Sequence, residues 1–230
     1  MIDCLIFSKD RACQLDLLLR SINQHAPLLY RSVTVLATYT DETYRRGYGR
    51  CMEEHGDEIS FLREIDFEWD VRRWLNRSWG LVSFLVDDDV FYRAAPPPAA
   101  IKAPFSLRGG DYDYPFSVDG NVYRRRDVVS LLEGLSFRNP TELEAFAHNV
   151  RRRLPFTTVK PCRPPCLVGV PANRVSDSSG MPHMGVAVSD LNRFYLEGGR
   201  LELPEIKDDL AAHAAIDYRY VPAPVEEWAR

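Results

Sequence analysis

No apolar run in this chain of 230 residues approaches the length needed to cross a bilayer. The opening residues, Met1-Ile2-Asp3-Cys4-Leu5-Ile6-Phe7, do not read as a secretory leader, because Asp3 interrupts a short apolar stretch and no basic residues precede it. Positive charge is not in surplus either. The formal net charge is −4, which gives no general attraction for nucleic acid. Cysteine is sparse: five scattered residues, an odd number, argue against a disulfide framework and for a reducing, cytoplasmic setting. Cys162 and Cys166 offer half of a zinc site, but no second pair follows and only His183 lies near, so a zinc centre is not expected. Repeats, low-complexity tracts and an obvious linker are absent as well. One domain over 1–230 is therefore expected, with a first half at 1–93 and an elaborated second half at 94–230.

What is present is an ordinary globular composition, 45% hydrophobic and 27% charged. Arg124–Arg126 and Arg151–Arg153 form local basic clusters, read here as solvated faces. A negatively charged acceptor, or loose association with an anionic membrane surface, is the secondary reading of them.

The first ninety residues alternate between two hydrophobic periods. "IDCLIF" (2–7), "SVTVLATY" (32–39), "EISFLREI" (58–65) and "GLVSFLV" (80–86) read as strands. Between them, 14–24 repeats leucine at helical spacing, 42–55 reads as a polar helix and 68–79 as an amphipathic one. Such alternation predicts an α/β fold with a mainly parallel sheet flanked by helices. Farther along, helices are expected near 126–133, at 139–150 with Asn139 as cap and Pro140 at the first position, and at 191–196. "TTVKP" and "CLVGVP" read as strands, and 173–185 as a polar loop. Trp69, Trp74 and Trp79 are expected to pack rather than to carry a ligand, and His25, His55 and His148 to be isolated helix residues.

The chemistry concentrates in Asp87-Asp88-Asp89, where an apolar strand runs into three adjacent carboxylates. Their repulsion calls for a compensating charge. In open α/β sheets ligands bind beyond the carboxyl ends of strands, so the triplet is expected beside the residues that follow the first strand, Ser8-Lys9-Asp10-Arg11. A hard divalent cation, Mg²⁺ or Mn²⁺, suits oxygen ligands of this kind and would also neutralise a diphosphate leaving group.

With "SKDRACQLDLLLRSI" after the first strand and "DDD" after the fourth, the chain resembles the nucleotide-sugar-dependent glycosyltransferases of the GT-A fold over about residues 1–93. That resemblance implies a Rossmann-like sheet and transfer of a sugar, a hexose from UDP by default, to a carbohydrate or glycoconjugate acceptor. It implies that Phe7, Ser8, Lys9 and Arg11 line the nucleotide pocket, that Tyr39 and Asp66 contact the base, and that Asp88 approaches ribose or sugar. Asp89 would bind the metal with help from Asp87, and His213 would complete its ligands. An inverting transfer also needs a base for the acceptor hydroxyl, for which Asp119 and Glu144 are the candidates. Asn173, Arg174 and Asp177, in the polar loop, are candidate acceptor contacts.

Three rivals stand beside this reading. A haloacid-dehalogenase-like phosphohydrolase shares an Asp-x-Asp after a strand, with Lys207, Asp208 and Asp209 as its downstream partners. A sugar nucleotidyltransferase would carry a Gly-rich loop after the first strand, and "SKDRACQ" has none. A non-catalytic nucleotide-binding or interaction domain needs no intact site at all.

Overall fold

The computed structural model describes residues 2–95, 115–154, 166–173, 184–203 and 220–221. The first ninety residues give β1 (Ile2–Lys9), α1 (Ala12–His25), β2 (Tyr30–Thr38), α2 (Glu42–His55), β3 (Ser60–Arg63), α3 (Phe67–Arg77), β4 (Leu81–Val86) and β5 (Asp89–Phe91). Then come β6 (Val122–Arg124), α4 (Arg125–Leu132), α5 (Pro140–Asn149), a 3₁₀ turn at Arg151–Arg153, β7 (Leu167–Gly169), α6 (Val188–Leu196), β8 (Arg200–Leu201) and β9 (Tyr220–Val221). The architecture is α/β. Five strands form one sheet in the order β3-β2-β1-β4-β6, parallel except for β6, which runs antiparallel to β4. β5 pairs antiparallel with β7, and β8 with β9.

Side chains on alternate positions of β1 enter opposite cores. Cys4 and Ile6 join Leu15, Leu18 and Leu19 of α1, Tyr48 and Cys51 of α2, and Leu191 and Tyr195 of α6. Leu5 and Phe7 join Val71 and Trp74 of α3, Leu131 and Leu132 of α4, and Leu143 and Ala147 of α5. Both faces of the sheet are thus covered, which is why β1 and β4 read as nearly unbroken apolar runs.

The expected strand over 58–65 is shorter in the structure, Ser60–Arg63. The Asp70 carboxylate takes the N–H groups of Ile65 and Asp66, and Asp66 caps α3 through Trp69 N–H, so the chain turns from strand to helix there. The tryptophans also divide. Trp74 is buried, whereas Trp69 and Trp79 are 52% and 73% exposed, Trp69 lying under the Arg73 guanidinium at 4.8 Å. Among the described residues no helix is long and apolar enough to cross a membrane.

Candidate functional site

The strand order reverses between β1 and β4: from β1 the chain moves outward to β2 and β3, then returns to the other side of β1 as β4. Such a reversal splays the loops beyond the carboxyl ends of the two strands and leaves a crevice between them. The β1–α1 turn and the Asp87-Asp88 turn after β4 bound it, joined by a backbone bond from Asp87 N–H to the Phe7 carbonyl at 3.1 Å.

The β1–α1 turn is held in an uncommon shape. Asp10 has φ of 59°, a left-handed conformation that side chains other than Gly, Asn and Asp seldom adopt. It is pinned from both sides: Asp10 N–H donates to the Thr38 carbonyl at 3.2 Å, and its carboxylate accepts from Thr40 N–H at 2.7 Å. Tyr48, reaching in from α2, accepts from Arg11 N–H at 3.2 Å and shares a hydrogen bond of 2.6 Å with the Ser8 hydroxyl. Ser8, Lys9 and Arg11 are thereby aimed at the carboxylates.

Asp87 is buried and takes the Ser8 hydroxyl at 2.8 Å and Lys9 N–H at 3.1 Å on one oxygen, and the Arg11 guanidinium at 2.9 Å on the other. Burial pushes its carboxyl up to about 6, against the pull of the Arg11 charge and with a further push from Asp88. Asp88 takes the same Arg11 nitrogen at 3.1 Å and is the more open of the two, its side chain 19% exposed. Arg11 is therefore the compensating charge for the first two carboxylates. Its other terminal nitrogen reaches the Asn173 carbonyl at 2.5 Å, and Gln14 donates to the Asn173 side-chain oxygen at 3.1 Å. This ties the segment after β7 to the crevice.

Asp89 turns the other way, into the interior, as the first residue of β5, where it accepts from Val86 N–H at 3.0 Å. Burial and then the nearby charge of Asp119 drive its carboxyl well above the ordinary range. Asp119 is placed by the antiparallel β6: Ser83 pairs with Val122, and Gly120 N–H reaches the Phe84 carbonyl at 2.8 Å, so the preceding residue arrives at the carboxyl end of β4. Asp119 also repels Glu144 of α5. Burial first, and Asp119 second, raise the Glu144 carboxyl to about 7, although Val118 N–H donates to it at 3.3 Å. Asp89, Asp119 and Glu144 thus interact across 55 residues of sequence. Glu144 is not the first-turn dipole partner of α5; Glu142 has that position.

Other expected residues take different places. Phe7 lies in the core, stacked on Phe84 and tilted against Phe67, rather than on the crevice wall. Tyr39 is half-buried beside Tyr48, with the Arg63 guanidinium 5.1 Å from its ring. Asp66 is committed to capping α3. Arg174, Asp177, His183, Lys207, Asp208, Asp209 and His213 lie outside the described residues, as do Cys162 and the "TTVKP" strand. Tyr48 and Gln14 escaped the sequence reading. Their signal is faint: a tyrosine on the buried side of a polar helix, and a glutamine at the head of an apolar one.

His55, expected to stand alone, contacts Asp16 at 2.9 Å. Asp16, Glu54 and His55 bring ligand atoms within 4.8 Å of one another, a spacing compatible with a metal ion. Arg20 binds Asp16, however, while Arg50, Arg200 and the Tyr195 hydroxyl bind Glu54. Burial raises the Asp16 carboxyl, but the His55 bond and the Arg20 charge outweigh it and hold the group below its ordinary value. Guanidinium groups already neutralise this cluster, which staples α1, α2 and β8.

Neither the protein-family models nor the curated proteins contain a match to this chain.

Proposed function

We propose that the protein is a metal-assisted glycosyltransferase of the GT-A type, moving a sugar, a hexose by default, from a nucleoside diphosphate to a carbohydrate or glycoconjugate acceptor. The observation that carries this reading is the pairing of Asp87 and Asp88, after β4, with Ser8 and Lys9 at the end of β1 and Arg11 just beyond it, across the strand reversal. Ligands of open α/β sheets bind at such a reversal, and carboxylates beside a guanidinium suit a diphosphate with its counter-ion.

Carboxylates are ligands of the kind that Mg²⁺ or Mn²⁺ takes, and an ion here would share Asp88 with Arg11. Asp88, whose carboxylate is the more open, would hold the ion, with Asp87 behind it fixing Arg11. When bound, the metal supplies charge neutralisation to the departing diphosphate. Arg11 adds positive charge on the same side. In the transfer, the bond between the anomeric carbon and the diphosphate oxygen breaks as an acceptor hydroxyl oxygen bonds to that carbon. The hydroxyl proton passes to a carboxylate in an inverting reaction, and Glu144, raised to about 7 and therefore poised near neutrality, is the base best suited to it. Asp119 is a positioning residue that keeps the Glu144 carboxyl high.

The test is a thermal-shift screen of UDP-, GDP-, dTDP- and CMP-sugars, each with and without Mn²⁺. One nucleotide class should raise the melting temperature, more so with Mn²⁺, and the Mn²⁺-dependent part should vanish in Asp88→Asn. If no nucleotide shifts the transition under any condition, the reading is wrong. Binding of nucleotide with no sugar transfer to any acceptor would favour a non-catalytic domain, and phosphate release from a sugar phosphate would favour a phosphohydrolase.

A further inference from the structure

Behind Arg11 two side-chain amides are left incompletely bonded. Gln14 and Asn173 are 1% and 5% exposed, and they share one hydrogen bond, from the Gln14 Nε2 to the Asn173 Oδ1 at 3.1 Å. The Gln14 Oε1 and the Asn173 Nδ2 are buried and have no hydrogen-bond partner. Leaving both groups dry and unpaired is costly, and a group that bonded to them would offset that cost. Turning both amides over exchanges which residue carries the leftover acceptor and which the leftover donor. In either orientation the pair offers one of each.

The ligand group that answers one donor and one acceptor through a single atom is a hydroxyl. A carboxylate or phosphate would leave the amide carbonyl facing lone pairs, and an ammonium group would leave the amide N–H without an acceptor. Position narrows the choice further. One terminal nitrogen of Arg11 binds Asp87 and Asp88, and the other binds the Asn173 carbonyl, so the amide pair lies one guanidinium away from the carboxylates. We propose that Gln14 and Asn173 form the subsite that reads a hydroxyl of the transferred sugar while the diphosphate lies against Asp88. This assignment rests on the glycosyltransferase reading. It makes the two amides the residues that select sugar over bare nucleotide, because a ligand lacking that hydroxyl leaves a buried donor and acceptor unpaired.

The experiment is calorimetric titration, in Mn²⁺, of the intact chain with UDP, GDP and dTDP and with UDP-glucose, GDP-mannose and dTDP-glucose. For one matched pair the sugar conjugate should bind about tenfold more tightly than its own nucleoside diphosphate, the size expected of one buried hydroxyl contact. Gln14→Met and Asn173→Leu should each erase that ratio and leave the affinity for the nucleoside diphosphate unchanged. A measurement on the unaltered protein guards against variants that fail to fold: among monodeoxy analogues of the preferred conjugate, one should lose the same tenfold. If the sugar adds nothing in the wild-type protein, or its increment survives both substitutions, the subsite assignment is overturned. Variants that lower the melting temperature without changing the ratio would show that the amides hold a structural water, and would overturn it equally. A wild-type protein that binds none of the six ligands overturns the glycosyltransferase reading along with it.

Discussion

At the scale of single residues, the crevice is governed by who neutralises whom. Arg11 and Asp87 are both buried and paired at 2.9 Å, and removing the Asp87 carboxylate leaves the guanidinium with Asp88 as its charge partner. Asp87→Ala should cost about 1–3 kcal/mol of stability, measured by urea unfolding, because the Ser8 hydroxyl and the Lys9 N–H lose an acceptor and Arg11 loses one of its two carboxylates. Glu144 behaves in the opposite sense. Its folded-state value of about 7 lies above the ordinary 4.5, so between those two values the folded protein holds a proton that the unfolded chain has released. Stability from this group is therefore complete below pH 4.5 and is lost as the pH rises through 7. Glu144→Gln should flatten the stability curve over that window and unfold at higher denaturant concentration than the wild type at pH 8. If Glu144 is the base, the same substitution lowers turnover by about 10²–10⁴-fold; unchanged turnover would remove it from the mechanism.

The elements that deliver these residues have their own local logic. Asn139 caps α5, its side chain accepting Glu142 N–H at 2.8 Å, and α5 carries Glu144 to the carboxylate group. Asn139→Ala should cost about 1 kcal/mol in chemical denaturation. At Gly47 α2 meets α1 and α6: a Cβ there would lie 2.3 Å from the Asn192 side-chain oxygen and 3.1 Å from Ala12 Cβ. Gly47→Ala should force α2 away from α1 and α6 and destabilise by about 1–3 kcal/mol, with loss of the Asn192 bond to the Thr43 carbonyl visible in a crystal structure of the variant. Helices and strands were legible because their signals are local. The α2 boundaries fall at 42 and 55 as the polar helical pattern implies, and the Asn139-Pro140 start of α5 was readable from the cap alone. β3 came out too long in the sequence reading because its end is set by Asp70, a residue five positions beyond Ile65 that faces back along the chain.

For the whole molecule, the sheet order is what turned scattered residues into one site. That Ser8–Arg11 meet Asp87 and Asp88 follows from β1 and β4 being neighbours, which strand–helix alternation suggests in advance. That Asp119 and Glu144 approach Asp89 depends on β6 running antiparallel beside β4, and no period or spacing in the sequence announces such a reversal. Phe7 shows the opposite limit: its position at the end of β1 was readable, but the side of the sheet on which its ring packs follows from the pairing of whole layers. Because β1 and β4 contribute to both cores, neither layer can open alone. Leu18→Ala in one layer and Phe84→Ala in the other should each cost about 2–5 kcal/mol and preserve a single unfolding transition, coincident by tryptophan fluorescence and far-ultraviolet circular dichroism. Cys4, Cys13, Cys51 and Cys166 are buried in the helix-α1 layer, and burial drives the thiols of Cys4, Cys13 and Cys51 upward. Thiol reagents attack the thiolate and need access to it. In a Cys162→Ser background, these four native sulfurs are a built-in clock: the rate at which a disulfide-exchange dye consumes them reports how often the whole fold opens, with no label introduced.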